Sequence, residues 1–270
     1  MIPLFVKITM AIGAGMVAAL PFALSCGTCG ALLPGEPELV TIAPRAFEYR
    51  EAGEFTRGGH PVDAPVISGA RKTSLTLMRR QVTAAEYEQC VQEGGCPAAP
   101  QDETSGERPV VKVSWRDASA YASWLSRKTG RAYRLPTDEE WAFASGSRFN
   151  DDTLGAENSA DPSKRWLARY EKESSRDVLD KNVKPTGAFG VNEHGLADMA
   201  GNVWEWTDTC YRRVALDVGT AIGRTTENCG VRVVAGRHRS YMTDFIRDPR
   251  SGGCAVGAPP ANLGFRLVQD

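Results

Sequence analysis

Between residues 237 and 250 the chain crowds Arg237, His238, Arg239, Asp244, Arg247, Asp248 and Arg250 into one short stretch. Guanidinium forks match carboxylates bidentately, so Arg237, Arg239, Arg247 and Arg250 read as recognition residues for a small anionic ligand. His238 has the chemistry of a general base or metal ligand. The same composition also makes a salt-bridged surface loop, and both readings stand. His60 and His194 look like loop residues, and no histidine triad has metal spacing. Of the seven cysteines, Cys90 and Cys96 lie six apart across Glu93-Gly94-Gly95. Such a loop can bring their Cα atoms within the ~4.4–6.8 Å a disulfide needs. At most two of Cys210, Cys229 and Cys254 can pair, and Cys210–Cys229 is favoured, leaving Cys254 as a thiol. Cys26-Gly-Thr-Cys29 has redox spacing but no βαβ context around it.

The elements that must position these groups belong to an ordinary globular chain. It has 270 residues, 42% hydrophobic and 24% charged, with 32 basic and 33 acidic side chains. That balance gives no long-range attraction to nucleic acid or anionic lipid. Residues 1–27 read as a signal peptide or N-terminal anchor: Lys7 precedes an apolar run from Ile8 to Leu24, followed by small residues. Ala23-Leu24-Ser25-Cys26 also resembles a poor lipobox, so membrane attachment would come only through an uncleaved signal or a lipidated Cys26. Export to an oxidising compartment follows, with residues 28–38 as linker and 39–270 as one α+β domain, loop-rich with few short helices and strands.

Within that domain, Leu39 to Tyr49 reads as a strand, Gly53 to Pro65 as loop, and Val66 to Met78 as one strand or two. Thr83 with Glu86, and Thr137 with Glu140, form capping boxes that open helices. A helix between them starts near Trp115 and stops at Gly130. Residues 146–191 are polar with weak periodicity, with a helical turn or two between Lys164 and Glu173. From Gly195 onward short apolar runs alternate with glycine-rich turns. Trp115, Trp124, Trp141, Trp204 and Trp206 read as core.

Three blocks, in order, resemble the formylglycine-generating-enzyme (sulfatase-modifying factor) family. They are Pro109-Val-Val-Lys-Val-Ser-Trp-Arg-Asp-Ala118 running through Arg134-Leu-Pro-Thr-Asp-Glu-Glu-Trp141, then Gly195-Leu-Ala-Asp-Met-Ala-Gly-Asn-Val-Trp-Glu-Trp206, then Asn262-Leu-Gly-Phe-Arg266. The resemblance implies a variant of the C-type-lectin fold. It also implies a calcium ion held by the side chains of Asp198 and Glu205 and the carbonyls of Gly201 and Val203, a donor set suited to a hard cation. Family enzymes oxidise a substrate cysteine using two cysteines that bind Cu(I). Here Thr243 and Asp248 stand at those two positions, and neither is a Cu(I) ligand of the thiolate kind. No copper is therefore expected.

Arg134 to Trp141, Cys229-Gly-Val-Arg232 and Phe245-Ile-Arg-Asp-Pro-Arg-Ser-Gly-Gly-Cys254 look like the exported NirV branch, encoded beside copper nitrite reductases. That likeness implies a periplasmic accessory protein in denitrification that binds a reductase or a small anionic ligand. The alternatives are a periplasmic oxidase of altered chemistry using His238, Thr243, Asp244 and Asp248, a calcium-stabilised lectin-like scaffold and, last, a true formylglycine-generating oxidase.

Overall fold

The computed structural model describes residues 36–100, 106–151, 153, 164, 167–168, 170–171, 182–217, 222–249 and 262–270. The proposed signal segment, Cys26, Cys29, Arg250 and Cys254 lie outside them; of the possible helical turn from Lys164 to Glu173, the five described residues are helical. Among the described residues the fold is α+β: a few short helices against curled mixed sheets. No helix among them is long and apolar enough to cross a membrane.

Three capping boxes set the helices. Helix α1 (Ala84–Gln92) starts at Thr83, whose hydroxyl accepts the Glu86 N–H while the Glu86 carboxylate accepts the Thr83 N–H. Helix α2 (Trp115–Thr129) repeats the device with Ser114 and Asp117, and ends on Gly130 at φ 71°, a left-handed cap that suits glycine. Helix α3 (Asp138–Ser145) opens at Thr137 with Glu140. Each box satisfies N–H groups that a helix start otherwise leaves without partners.

The stretch read as one strand from Leu39 is two, β1 (Leu39–Ile42) and β2 (Arg45–Arg50), because Pro44 has no N–H to continue a ladder. The stretch read as a loop from Gly53 contains a hairpin, β3 (Glu54–Arg57) and β4 (His60–Val62). Gly58 and Gly59 turn it, both at positive φ, 57° and 81°. Then come β5 (Val66–Arg71), β6 (Leu75–Met78) and, after α2, β7 (Tyr133–Arg134). The glycine-rich end holds two long strands, β8 (Trp204–Leu216) and β9 (Ile222–Ala235), where only short runs were expected. The last strands are β10 (Ser240–Thr243), β11 (Leu263–Gly264) and β12 (Val268–Gln269).

One sheet runs β1-β6-β12-β7, a second β10-β9-β8-β3-β4 with β11 beside β8, and a third is the β2-β5 pair. Tyr87, Tyr121, Trp124, Trp206, Met242 and Phe265 fill the core under α1 and α2; Leu77, Trp141, Phe143, Leu196 and Met199 fill a second one under α3. Both expected disulfides are present. Cys90–Cys96 has a Cα separation of 5.3 Å and Cys210–Cys229 one of 4.5 Å. Paired cysteines of this kind belong to an oxidising, extracellular-type compartment.

The α3 box also makes a pH-sensitive contact. Glu140 receives two N–H bonds from Arg134 at 2.7 and 2.9 Å, one from the Thr137 backbone at 2.9 Å and one from Arg71 at 3.2 Å. Burial alone would raise its pKa, but the Arg134 and Thr137 bonds, with the charges of Arg134 and Arg71, outweigh that and hold it below the ordinary carboxylate value. A carboxyl with a depressed folded pKa stabilises the fold above its unfolded pKa and loses that contribution as pH falls through the folded one. Urea midpoints are therefore expected to drop on acidification below about 4.5. Glu140→Gln should flatten that slope; an unchanged slope in the variant would assign it to other carboxyls.

Candidate functional site

The 237–249 segment is a strap fastened at both ends to helix N-termini. Near its start, Arg239 is buried and donates from Nε and Nη2 to Asp138, the first residue of α3, at 2.9 and 2.8 Å. Its Nη2 also donates to the Arg50 carbonyl at 2.7 Å, and the Tyr49 hydroxyl donates to the same Asp138 carboxylate. Burial first, and then the Asp138 charge, hold the Tyr49 phenol far above its usual range. Toward its far end, Arg247 pairs with Asp117 at 2.7 and 2.8 Å and donates to the Ala98 carbonyl. Asp244 accepts two bonds from Arg116 at 2.9 and 3.2 Å. Asp117 thus both caps α2 and holds the strap, while Asp138 at the start of α3 holds it without capping.

The residues singled out from the sequence therefore separate. Arg239 and Arg247 are committed to buried aspartates, Arg237 is exposed, and Arg250 lies outside the described residues. His238 is 2% exposed, with its ring edge-on to Trp204 at 5.2 Å, while its carbonyl accepts the Trp204 indole N–H. Thr243 closes β10 opposite Val231, and Asp244 follows with its N–H on the Gly230 carbonyl. Asp248 is half-buried. The four cysteines among the described residues are all in disulfides.

The residues of the implied calcium set lie in a strained loop. Asp198, Ala200 and Asn202 have φ of 56°, 56° and 62°, a left-handed region that L side chains rarely adopt. Side-chain bonds hold it there: Asp198 accepts the Gly187 and Phe189 N–H groups, and Asn202 bridges the Lys184 N–H and carbonyl. A Cβ at Gly201 would lie 2.8 Å from Phe189, so this position needs glycine. Glu205 faces elsewhere. Its Oε1 accepts from Gln81 and Arg266 at 2.8 Å each, and its Oε2 from Trp141 at 3.0 Å and Arg266 at 2.7 Å. With an N–H on every lone-pair direction, Glu205 as placed does not fit the role of cation ligand.

A cleft of about 330 Å³ opens elsewhere, between β2, the end of α3 and the 193–194 turn. Phe47, Phe143 and Phe149 give it aromatic walls, and the Arg45 guanidinium lies 4.2 Å over the Phe143 ring. Arg45 also lies 2.9 Å from His194 Nε2, and Glu193 accepts from the Ser147 N–H and hydroxyl at 2.6 and 2.9 Å. Burial, then the charge of Arg45, lowers the His194 pKa, so the ring is a neutral acceptor for the guanidinium at neutral pH. The sequence signal for this cleft was weak: Arg45, Ser147 and His194 come from three distant segments, and none sits in a motif.

A profile of the sulfatase-modifying factor enzyme 1-like domain matches residues 34–270. The inactive C-alpha-formylglycine-generating enzyme 2 of Bos taurus is 34% identical over 169 residues, covering 58% of this chain and 54% of that protein. The formylglycine-generating enzyme of Mycobacterium tuberculosis is 36% identical over 182 residues, covering 60% and 57%. The chain thus spans about half the length of the curated relatives it matches. The structure of PvdO from Pseudomonas aeruginosa superposes with a TM-score of 0.55 at 20% identity, covering 88% of this chain and 96% of that one, which is a likeness of fold.

Proposed function

We propose, starting from the fact that this chain belongs to the sulfatase-modifying factor enzyme 1-like family, that it is a non-oxidising accessory member which works by binding. The carrying observation is the strap. Thr243 and Asp248 occupy the positions where the family resemblance places two thiols, and neighbouring Arg239, Asp244 and Arg247 are tied into ion pairs with the helix starts. Cu(I) is selected by soft thiolates, and a hydroxyl with a carboxylate offers hard oxygens instead. A relative that is 34% identical carries the description inactive, in keeping with this reading.

For a small ligand, the cleft beside Arg45 and His194 offers about 330 Å³ of space. A periplasmic setting beside a copper nitrite reductase is the specific form of the proposal. It draws on the apolar run after Lys7, the two disulfides and the likeness of the 229–254 segments to that branch. Co-purification with the reductase from periplasmic extract is the observation that supports this form, and repeated failure to co-purify under cross-linking would remove it.

The non-oxidising role is tested separately. Purified full-length protein, supplied with Cu(I), O2 and a cysteine-containing sulfatase peptide, is expected to give no aldehyde by mass spectrometry. Turnover to formylglycine would overturn the proposal.

A further inference from the structure

The two disulfides differ in exposure. Cys90 and Cys96 are 0% and 8% exposed and sit in the α1–α2 core. Cys229 is exposed and Cys210 half-exposed. Their bridge joins β8 and β9, strands already paired on either side of it. The ladder is irregular at this point. Cys210 faces Arg232 while the next residue, Tyr211, faces Asn228, so Cys229, Gly230 and Val231 bulge out of β9. The far side of the bulge is met by the end of the strap, since Thr243 pairs with Val231 and the Asp244 N–H bonds the Gly230 carbonyl.

Glu227 lies two residues before Cys229 and so projects toward the same face of β9. Its Oε1 is 3.6 Å from Cys229 Sγ, and one donor atom each from Cys210, Glu227 and Cys229 lies within 4.8 Å of the others. No ion pair ties Glu227 to an arginine or lysine among the described residues; Arg212, its partner across the ladder, is held by Glu51. A carboxylate gains little from a neutral cystine and repels a thiolate, unless a cation lies between them.

We propose that Cys210–Cys229 is the exchangeable disulfide of this protein, and that its reduced form, together with Glu227, binds Zn²⁺. Two thiolates and a carboxylate are a borderline-soft donor set, and the surface position leaves the fourth tetrahedral site to water. The reductant is a partner dithiol. Its first thiolate attacks the more exposed Cys229 Sγ, forming a mixed disulfide while Cys210 leaves as a thiolate. Its second thiol then attacks the mixed disulfide, releasing Cys229 and closing the partner's own disulfide. Two electrons pass to the cystine, and two protons complete the thiols. Zn²⁺ displaces those protons on binding, and exchange with an oxidised partner reverses the sequence and releases the metal.

The test uses the full chain. After brief dithiothreitol treatment and alkylation, peptide mapping should find label on Cys210 and Cys229 but not on Cys90 or Cys96. Titrated against a chromophoric chelator, the reduced protein should take one Zn²⁺ that the oxidised protein does not take. Cys229→Ser should abolish that uptake. Glu227→Gln, which keeps the disulfide and so the native hairpin, should weaken it by at least about tenfold. With Co²⁺ as the probe, the reduced protein should show a thiolate-to-metal charge-transfer band that Cys229→Ser lacks. Equal labelling of Cys90 and Cys96 would overturn the exchange step. Zinc retained by Cys229→Ser, or undiminished affinity in Glu227→Gln, would overturn the site.

Discussion

Replacing Arg266 by methionine is expected to lower the unfolding free energy by about 3–5 kcal/mol. Arg266 and Glu205 are both fully buried and meet through two bonds, at 2.7 and 2.8 Å. The guanidinium also donates to the carbonyls of Ala197 at 2.9 Å and Arg79 at 3.2 Å, while Glu205 collects the Trp141 indole and Gln81 amide. This pair therefore joins β8, α3, the 195–199 turn, the end of β6 and the chain after β11. Methionine keeps much of the volume and removes the charge, leaving Glu205 ionised in the core with two neutral donors. Domains of this kind have about 5–15 kcal/mol in total, so such a loss is a large share of the whole. Urea unfolding followed by tryptophan fluorescence reads it directly. The double variant Arg266→Met with Glu205→Leu should recover part of the loss, because the orphaned charge is gone. A single-variant cost below about 1 kcal/mol, the size of an ordinary net hydrogen bond, would show that Glu205 finds other compensation.

The second large effect is expected from Asp138→Ala. Asp138 is fully buried and receives both the Arg239 fork and the Tyr49 hydroxyl. Without it a buried guanidinium loses its counter-ion and is left with neutral neighbours such as the Arg50 carbonyl and the Tyr49 and Phe149 rings, again a loss of about 3–5 kcal/mol. This variant differs from the first in where the damage shows. Arg239 begins the strap, so amide hydrogen exchange should quicken at Ser240–Thr243 more than in α1, which other residues hold. Asp138→Asn, which can still accept from Arg239, should cost less than alanine. Uniform loss of protection would mean that Asp138 supports the fold as a whole and does not anchor the strap in particular. Because the Asp138 charge is one reason the Tyr49 phenol sits high, its pKa should fall in the alanine variant if the ring stays buried.

What the sequence disclosed was governed by range. Capping boxes act over three residues, so Thr83 with Glu86 and Thr137 with Glu140 could be read directly. The third box used Ser114 with Asp117, an aspartate where the usual pattern has glutamate or glutamine, and only the helix it opens was legible. Cys90 and Cys96 declared their bridge through the short glycine turn between them. The β3–β4 hairpin carried its own signal, Gly58-Gly59 between alternating residues, which the surrounding polar composition concealed. β8 and β9 were harder, because much of the pair is exposed and carries Thr, Arg and Glu with scattered glycines, so no apolar periodicity marks their length. The partners of the strap could not be read at all. Arg239 lies 101 residues from Asp138 and Arg247 lies 130 from Asp117, so a run of arginines that looked free to bind a ligand was already matched to distant acids.

The position of β12 has a consequence for how the chain is made. Val268 pairs with Leu77 on one side and Arg134 on the other, so the last strand in sequence is an interior strand of its sheet. During synthesis β6 and β7 emerge long before the segment that must lie between them. The sheet can close only after residue 269 has cleared the ribosome, and Arg266, two residues before β12, reaches Glu205 at about the same moment. Closure of this sheet is therefore a late event that waits on residues 266–269, and deleting residues 266–270 would remove the strand that joins β6 to β7.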